Sequence, residues 1–312
     1  MITKNWFNSQ RKQKYLCTWC WYSFVKRKRK TEQVFRSNVL FKERLTEWYS
    51  ARQIAKQTSK KKYQVSKNIR HHLDTNKITS IDEVFDAVHY VMIDGYHLPK
   101  RKILIVYYEY ILKRGIRFSV RDGERKRDIV EDLKFLRCNM WYNDLRVFVT
   151  DGSFPIKRAI NEVYPEVPHQ RCIVHIERQI KNYITSKPKT DIGRALKRIT
   201  HCHFMRDAFR FPIALRVWRI LHHPAMNEKS LSRPTWERYT HRELMKAYTH
   251  LINAIPYMHQ YATHSDTNIK RSTNDLEWYF WVLTQQIHRH KGLRPDRLLS
   301  FVAMWIYERN NK

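Results

Sequence analysis

Between residues 87 and 174 apolar runs alternate with helix-period stretches in a fixed order, and that order leaves few folds open. Residues 87–93, 102–108 and 116–120 are short, rich in Val, Ile, Tyr and Phe, and separated by polar or Gly-containing turns, as successive antiparallel strands are. Residues 127–141 then carry Ile129, Leu133 and Leu136 on one helical face. A strand over 146–150, a helix over 154–163, a strand over 169–174 and a helix from His175 complete the series. The reading is α/β, βββαβαβ, with a sheet that begins antiparallel and gains parallel strands.

That order is the order of a ribonuclease H-like core, in which the first and fourth strands lie side by side. Both of those runs end in Asp-Gly, at Asp94-Gly95 and Asp151-Gly152. One Asp-Gly is a turn signal and no more. Two of them, on strands expected to be neighbours, bring two carboxylates toward one point, as a hard-cation site requires. A third acid, Glu277, opens a later helix behind Thr273 or Asn274 as N-cap, next to a stripe of Leu276, Phe280, Leu283 and Ile287. The neighbouring Trp278, Tyr279 and Trp281 are expected to close a core rather than to stack on bases. About ninety residues of helical character, roughly 185–270 and broken by Pro224, Pro234 and Pro256, lie ahead of Glu277. That is too long for a loop and is expected to be a helical insertion.

Charge indicates the partner. Lys and Arg number 60 against 29 Asp and Glu, a net charge of +31, which calls for a polyanion such as DNA. Residues 1–80 alone hold 20 Lys/Arg and 4 Asp/Glu. Within them Lys26-Arg27-Lys28-Arg29-Lys30 cannot enter a core and is expected to contact phosphates. Helical spacing over 39–48, 50–58 and 59–73 suggests a helix-turn-helix in residues 31–80, with Gln64, Lys67, Asn68 and Arg70 on a recognition helix. Arg289 and Lys291, in the cationic end of the Glu277 helix, are further candidates for gripping phosphate. No run of about 18 apolar residues is present, so no membrane partner is expected. Five cysteines fit a reducing compartment, and the expected location is cytoplasmic, at the nucleoid.

Cys17-Thr18-Trp19-Cys20 looks like one knuckle of a zinc ribbon, in a partial ribbon spanning residues 1–30. Zn²⁺ needs four ligands, so Cys17 and Cys20 could hold it only if a second pair completed the ribbon upstream. Otherwise the segment is a remnant packed by Trp19, Tyr22 and Phe24.

With these motifs assembled, residues 82–312 resemble the Mutator-like DDE transposases of prokaryotic insertion sequences. The resemblance rests on Asp94-Gly95, on Asp151-Gly152 followed by Ile156, Ala159 and Ile160, on Gln170-Arg171-Cys172-Ile173-Val174-His175, and on Thr273-Asn274-Asp275-Leu276-Glu277 ending in His290-Lys291-Gly292-Leu293. It implies a catalytic and metal-binding triad of Asp94, Asp151 and Glu277, with two Mg²⁺ or Mn²⁺ ions. It also implies a Cys-x-x-His pair at Cys172 and His175, for which a structural or active-site-orienting role is expected. Terminal inverted repeats and target DNA would be the partners, and a dimer would hold two ends. Two other expectations stay open: a ribonuclease H-like nuclease, and an inactive or truncated transposase-derived DNA-binding protein.

Overall fold

The computed structural model describes residues 2–7, 13–21, 23–25, 49–75, 88–139, 145–229, 240–264, 266, 268–290 and 292–310. The chain divides into two compact units, residues 1–77 and 78–312.

In the first unit β1 (Ile2–Phe7), β2 (Gln13–Cys17) and β3 (Ser23–Val25) form an antiparallel sheet in sequence order. Two helices follow, α1 (Ala51–Gln57) and α2 (Lys62–Thr75). Ser50 starts α1 with a capping box: its hydroxyl accepts from Gln53 N–H, and the Gln53 side chain accepts from Ser50 N–H. Helix α2 buries Val65, Ile69 and Leu73, the face expected from their spacing. The helix expected at 39–48 and the basic run 26–30 lie outside the described residues.

The second unit is built on a five-stranded sheet. Its strands are β4 (Tyr90–His97), β5 (Ile103–Glu109), β6 (Arg114–Arg121), β7 (Val147–Thr150) and β8 (His169–Arg171), in spatial order β6-β5-β4-β7-β8. The pairs β4–β5 and β5–β6 are antiparallel, whereas β4–β7 and β7–β8 are parallel. Helices α3 (Lys126–Asn139) and α4 (Phe154–Val163) join β6 to β7 and β7 to β8. Ile129, Leu133, Ile156 and Ile160 from these helices pack with Val91, Ile93, Ile105, Tyr107 and Phe148 of the sheet. Alternate residues of the strands face the other side, where Tyr108 meets Tyr279 at 5.2 Å between ring centroids.

Beyond the sheet come α5 (Ile173–Ile184), α6 (Asp191–Ile199), α7 (Cys202–Met205), α8 (Arg210–Leu221), α9 (His223–Met226), α10 (Arg242–Met258) and α11 (Gln260–Thr263). Ile176, Ile180, Leu196, Phe211, Leu215, Trp218, Ala247 and Leu251 give this helical region a core of its own. Finally α12 (Asn274–Arg289) and α13 (Pro295–Asn310) return to the sheet. Asn310 closes α13 onto β6 by accepting from Gly115 N–H and donating to Gly115 C=O.

Three expectations are corrected. Strand β4 does not stop at Asp94-Gly95 but pairs with β5 as far as His97, because β5 supplies hydrogen-bond partners that a lone turn signal does not reveal. Strand β8 ends at Arg171, and Cys172 is the N-cap of a helix rather than a strand residue. Pro256 lies inside α10, close to its end at Met258, where the helix forgoes the bond its N–H would have made to Ile252. Helix α13 was not expected at all.

Candidate active site

Two acids converge because two parallel strands end in step. In the β4–β7 ladder Ile93 is opposite Thr150, so Asp94 and Asp151 are the next residue on each strand. Asp94 continues in β4, opposite Val106 of β5. Asp151 is the first residue after β7. Each carboxylate has one oxygen fixed by the backbone that follows: Asp94 Oδ1 accepts from Gly95 N–H and Asp151 Oδ1 from Ser153 N–H, both at 2.8 Å. Ligands of open α/β sheets collect at the carboxyl ends of strands, which is where these groups stand.

Electrostatics mark the pair. Burial, and then the neighbouring charge of Asp151, push the Asp94 carboxyl up to about 7. An acid elsewhere in the same unit shows what structural pairing looks like. Asp132 is fully buried, and Arg117 and Arg121 donate to it at 2.8 and 3.3 Å, with Ser119 and Tyr107 adding hydroxyl donors. Asp132 is neutralised by the fold, whereas Asp94 is desolvated beside a second acid.

Glu277, in the first turn of α12, is held on the same side. His175 Nε2 stands 3.6 Å from Glu277 Oε1, and Arg178 Nη2 stands 3.8 Å from Oε2. Oε1 itself is buried without a hydrogen bond. The helix that carries Glu277 is fastened to the start of α5. Ile173 N–H donates to Arg271 C=O at 3.0 Å, Thr273 N–H points at Cys172 Sγ at 3.5 Å, and Thr273 Oγ1 lies 3.4 Å from His175 Nδ1. Tyr96 of β4 adds a ring stack on Phe280 at 5.4 Å and accepts from Thr284 Oγ1 at 2.8 Å. Cys172 is fully buried. Burial works to raise its thiol, but hydrogen bonds from His175 and Thr273 prevail and hold it below its ordinary value. The same hydrogen bond raises His175, with Asp94 and Glu277 adding to it. His175 therefore feels the charge of both Asp94 and Glu277.

A fourth carboxylate was not anticipated. Glu124, in the loop between β6 and α3, accepts from Ser153 Oγ, and Ser153 N–H in turn holds Asp151. Burial raises Glu124, and Asp151 raises it further. A single acid in a polar loop carries no periodicity or motif that could have announced it. Behind Asp151 lies Arg171, buried by Gly152, whose φ of +86° leaves no room for a side chain: a Cβ there would fall 1.9 Å from Arg171 Nε. Burial lowers Arg171 while Asp151 works to raise it.

Among the described residues no group of three or more His, Cys, Asp or Glu side chains is set to hold one metal ion. The groups present are oxygen donors, the kind a hard cation takes. Asp94 is desolvated beside Asp151 and carries a raised proton affinity, and the buried Glu277 Oε1 lacks a hydrogen-bond donor.

The other candidates fall elsewhere. Gln64, Lys67, Asn68 and Arg70 are exposed on α2, and Arg289 is exposed at the end of α12. Lys291 and residues 26–30 lie outside the described residues. Cys17 ends β2 and Cys20 sits in the turn that follows, with the Cys17 thiol lowered by hydrogen bonds from Cys20 and Trp19. Trp19 is 93 % exposed, so it does not pack the turn as expected of a remnant; Tyr22 and the Phe24 side chain lie outside the described residues. Tyr279 is buried as expected, but Trp278 and Trp281 are each 54 % exposed beside Glu277, on the outer face of α12. No helix among the described residues is long and apolar enough to cross a membrane.

No curated protein matches the chain. Residues 113–209, the stretch that carries Asp151, Cys172 and His175, match the family described as "Transposase, Mutator family", and here the chain is similar to Mutator-family transposases, as its motifs led one to expect.

Proposed function

We propose that this chain is a DDE transposase of an insertion sequence, which binds the element's ends and cuts and rejoins DNA with carboxylate-held metal ions. The observation that carries the reading is the register of β4 and β7, which makes Asp94 and Asp151 neighbours at the ends of parallel strands. The strand order β6-β5-β4-β7-β8 supports a ribonuclease H-like core, and the family match over residues 113–209 supports transposition over simple hydrolysis.

Asp94, Asp151 and Glu277 are the residues that would hold the Mg²⁺ or Mn²⁺ ions. Such ions, when bound, activate a water or a DNA 3′-hydroxyl and stabilise the leaving oxygen of an in-line displacement at phosphorus. The chain's own groups orient the triad. Cys172, His175 and Thr273 clasp the start of α12 to α5, which sets the position of Glu277. His175 and Arg178 steady the Glu277 carboxylate, and Ser153 N–H steadies Asp151. Helix α2 is proposed as the recognition helix of a helix-turn-helix, reading bases through Gln64, Lys67, Asn68 and Arg70. The basic run 26–30 and Arg289 with Lys291 would add phosphate contacts.

The deciding experiment is Mg²⁺-dependent cleavage and joining of DNA that carries the flanking terminal repeats, with wild type beside Glu277→Gln. Cleavage and joining lost in the variant, with DNA binding retained, is the expected result. An equally active variant removes Glu277 from the triad, and a folded wild type that binds but never cleaves leaves a DNA-binding remnant.

A further inference from the structure

We propose that the outward face of α8 is a docking surface for a second copy of this chain. Helix α8 is apolar on two sides. Phe211, Leu215 and Trp218 fill the core of the helical insertion, with Trp218 Nε1 donating to Ile192 C=O at 3.2 Å. On the opposite side Phe209, Ile213, Val217, Ile220 and Leu221 face solvent, from 48 % exposed at Val217 to 79 % at Phe209. At roughly 100° per residue they cover an arc of about 120°. A soluble helix with both faces apolar is one that expects cover on each side.

Size and symmetry favour a second copy as that cover. Apolar residues of this kind present roughly 150–200 Å² each, so the five at these exposures leave on the order of 600 Å² uncovered, the upper limit for the largest patch on an ordinary monomer. Two such faces together bury about 1,200 Å², the lower bound of a stable specific interface. The spacing is also self-complementary. An antiparallel helix pair about a two-fold axis level with Leu215 sets Phe209 against Leu221 and Ile213 against Val217, as an isologous contact requires, and leaves Ile220 opposite Arg210 at the rim. Two of the helix's cations are drawn aside, Arg210 lying 3.7 Å from Asp207 and Arg219 over the Tyr248 ring, while Arg216 is exposed at the edge of the face.

The net charge of +31 opposes this association, and salt should relieve it. An assembly bridged by nucleic acid behaves in the opposite way, loosening as salt rises. The experiment is sedimentation of nuclease-treated full-length protein at low and high salt, wild type beside Ile213→Glu/Val217→Glu. Both side chains already face solvent, and unchanged circular dichroism and melting will establish that the variant folds. A wild-type dimer that tightens with salt and is lost in the variant is the expected result. A wild type that stays monomeric at tens of micromolar, or a dimer indifferent to the substitutions, overturns the proposal. As a second readout, chains carrying Ile213→Cys mixed with chains carrying Val217→Cys should cross-link to one another under oxidation, and absence of that cross-link in a dimer also overturns it. The assay uses no element DNA, so a monomer that still cleaves would sink only the docking surface, and a dimer that never cleaves would sink only the catalytic reading.

Discussion

Replacing Asp94 by Asn should stabilise the metal-free protein at alkaline pH and lose that advantage in acid. The ordinary carboxyl value is 3.8 and the folded one is about 7, so the folded state holds the Asp94 proton more tightly than the unfolded chain does. An acid shifted this way contributes most below 3.8, and its contribution is lost as pH rises through 7. The shift of about 3 pH units corresponds to at most ~4 kcal/mol, at about 1.4 kcal/mol per unit. The side chain keeps a rim of solvent, so roughly half of that, ~2 kcal/mol, is the working figure. Asn keeps the oxygen that accepts from Gly95 N–H and removes the charge. For a unit of this size ~2 kcal/mol moves the melting temperature by about 4–8 °C. The assay is thermal melting of wild type and Asp94→Asn in chelator from pH 4 to pH 9. The gap should open above pH 4 and level off above pH 7. Added Mg²⁺ should then raise the wild type above pH 7 and leave the variant unmoved. A gap that is constant across the range, or a variant less stable at pH 8, refutes the reasoning.

Gly152→Ala should cost about 1–3 kcal/mol, because it strains a φ of +86° and drives a methyl into Arg171; a denaturation midpoint equal to wild type would contradict this. Glu124→Gln removes a negative charge that acts on both Asp151 and Asp94, while its amide oxygen can still accept from Ser153. The pH profile of cleavage should therefore move toward acid with end-DNA binding unchanged, and an unmoved profile would reduce Glu124 to a loop anchor. Replacing Lys26, Arg27, Lys28, Arg29 and Lys30 together by Ala should flatten the dependence of log affinity on log salt by up to ~4.5, at roughly 0.9 per phosphate contact; a slope that does not change would remove the run from the interface.

The parts of the fold legible in the sequence were those with local signatures. Helix α4 runs from Phe154 to Val163 as its spacing implied, because Pro155 fixes the start and Ile156, Ala159, Ile160 and Val163 mark one face. The Asp94 and Asp151 pairing followed from strand order alone. What stayed hidden depends on partners distant in sequence. The last four residues of β4, Asp94 to His97, pair with β5 alone, and Cys172 is a cap beside which residues 271–273 come back. Glu124 joins the site through a single hydroxyl of Ser153. Helix α13 did carry a signal, in Leu298, Phe301, Val302, Trp305 and Ile306, but its partner surface on β6 is nearly two hundred residues away. Trp278 and Trp281 misled because bulk alone says core, whereas their place on α12 is set by which face Leu276, Tyr279 and Phe280 already occupy.

The strand that runs on past Asp94 gives the two acids unequal footing. Asp94 is laced to β5 on both sides, with Ile93 opposite Tyr107 and Gly95 opposite Ile105, so it behaves as the fixed jaw of a vice. Asp151 hangs from a three-residue connection held by Ser153 and Thr150, and is the jaw that can travel. Ions of different radius would then be accommodated by adjusting the Asp151 loop and not the sheet. In amide exchange the contrast should be visible as slow protons flanking Asp94 and quicker ones from Gly152 onward, the second set alone slowing when an ion is gripped.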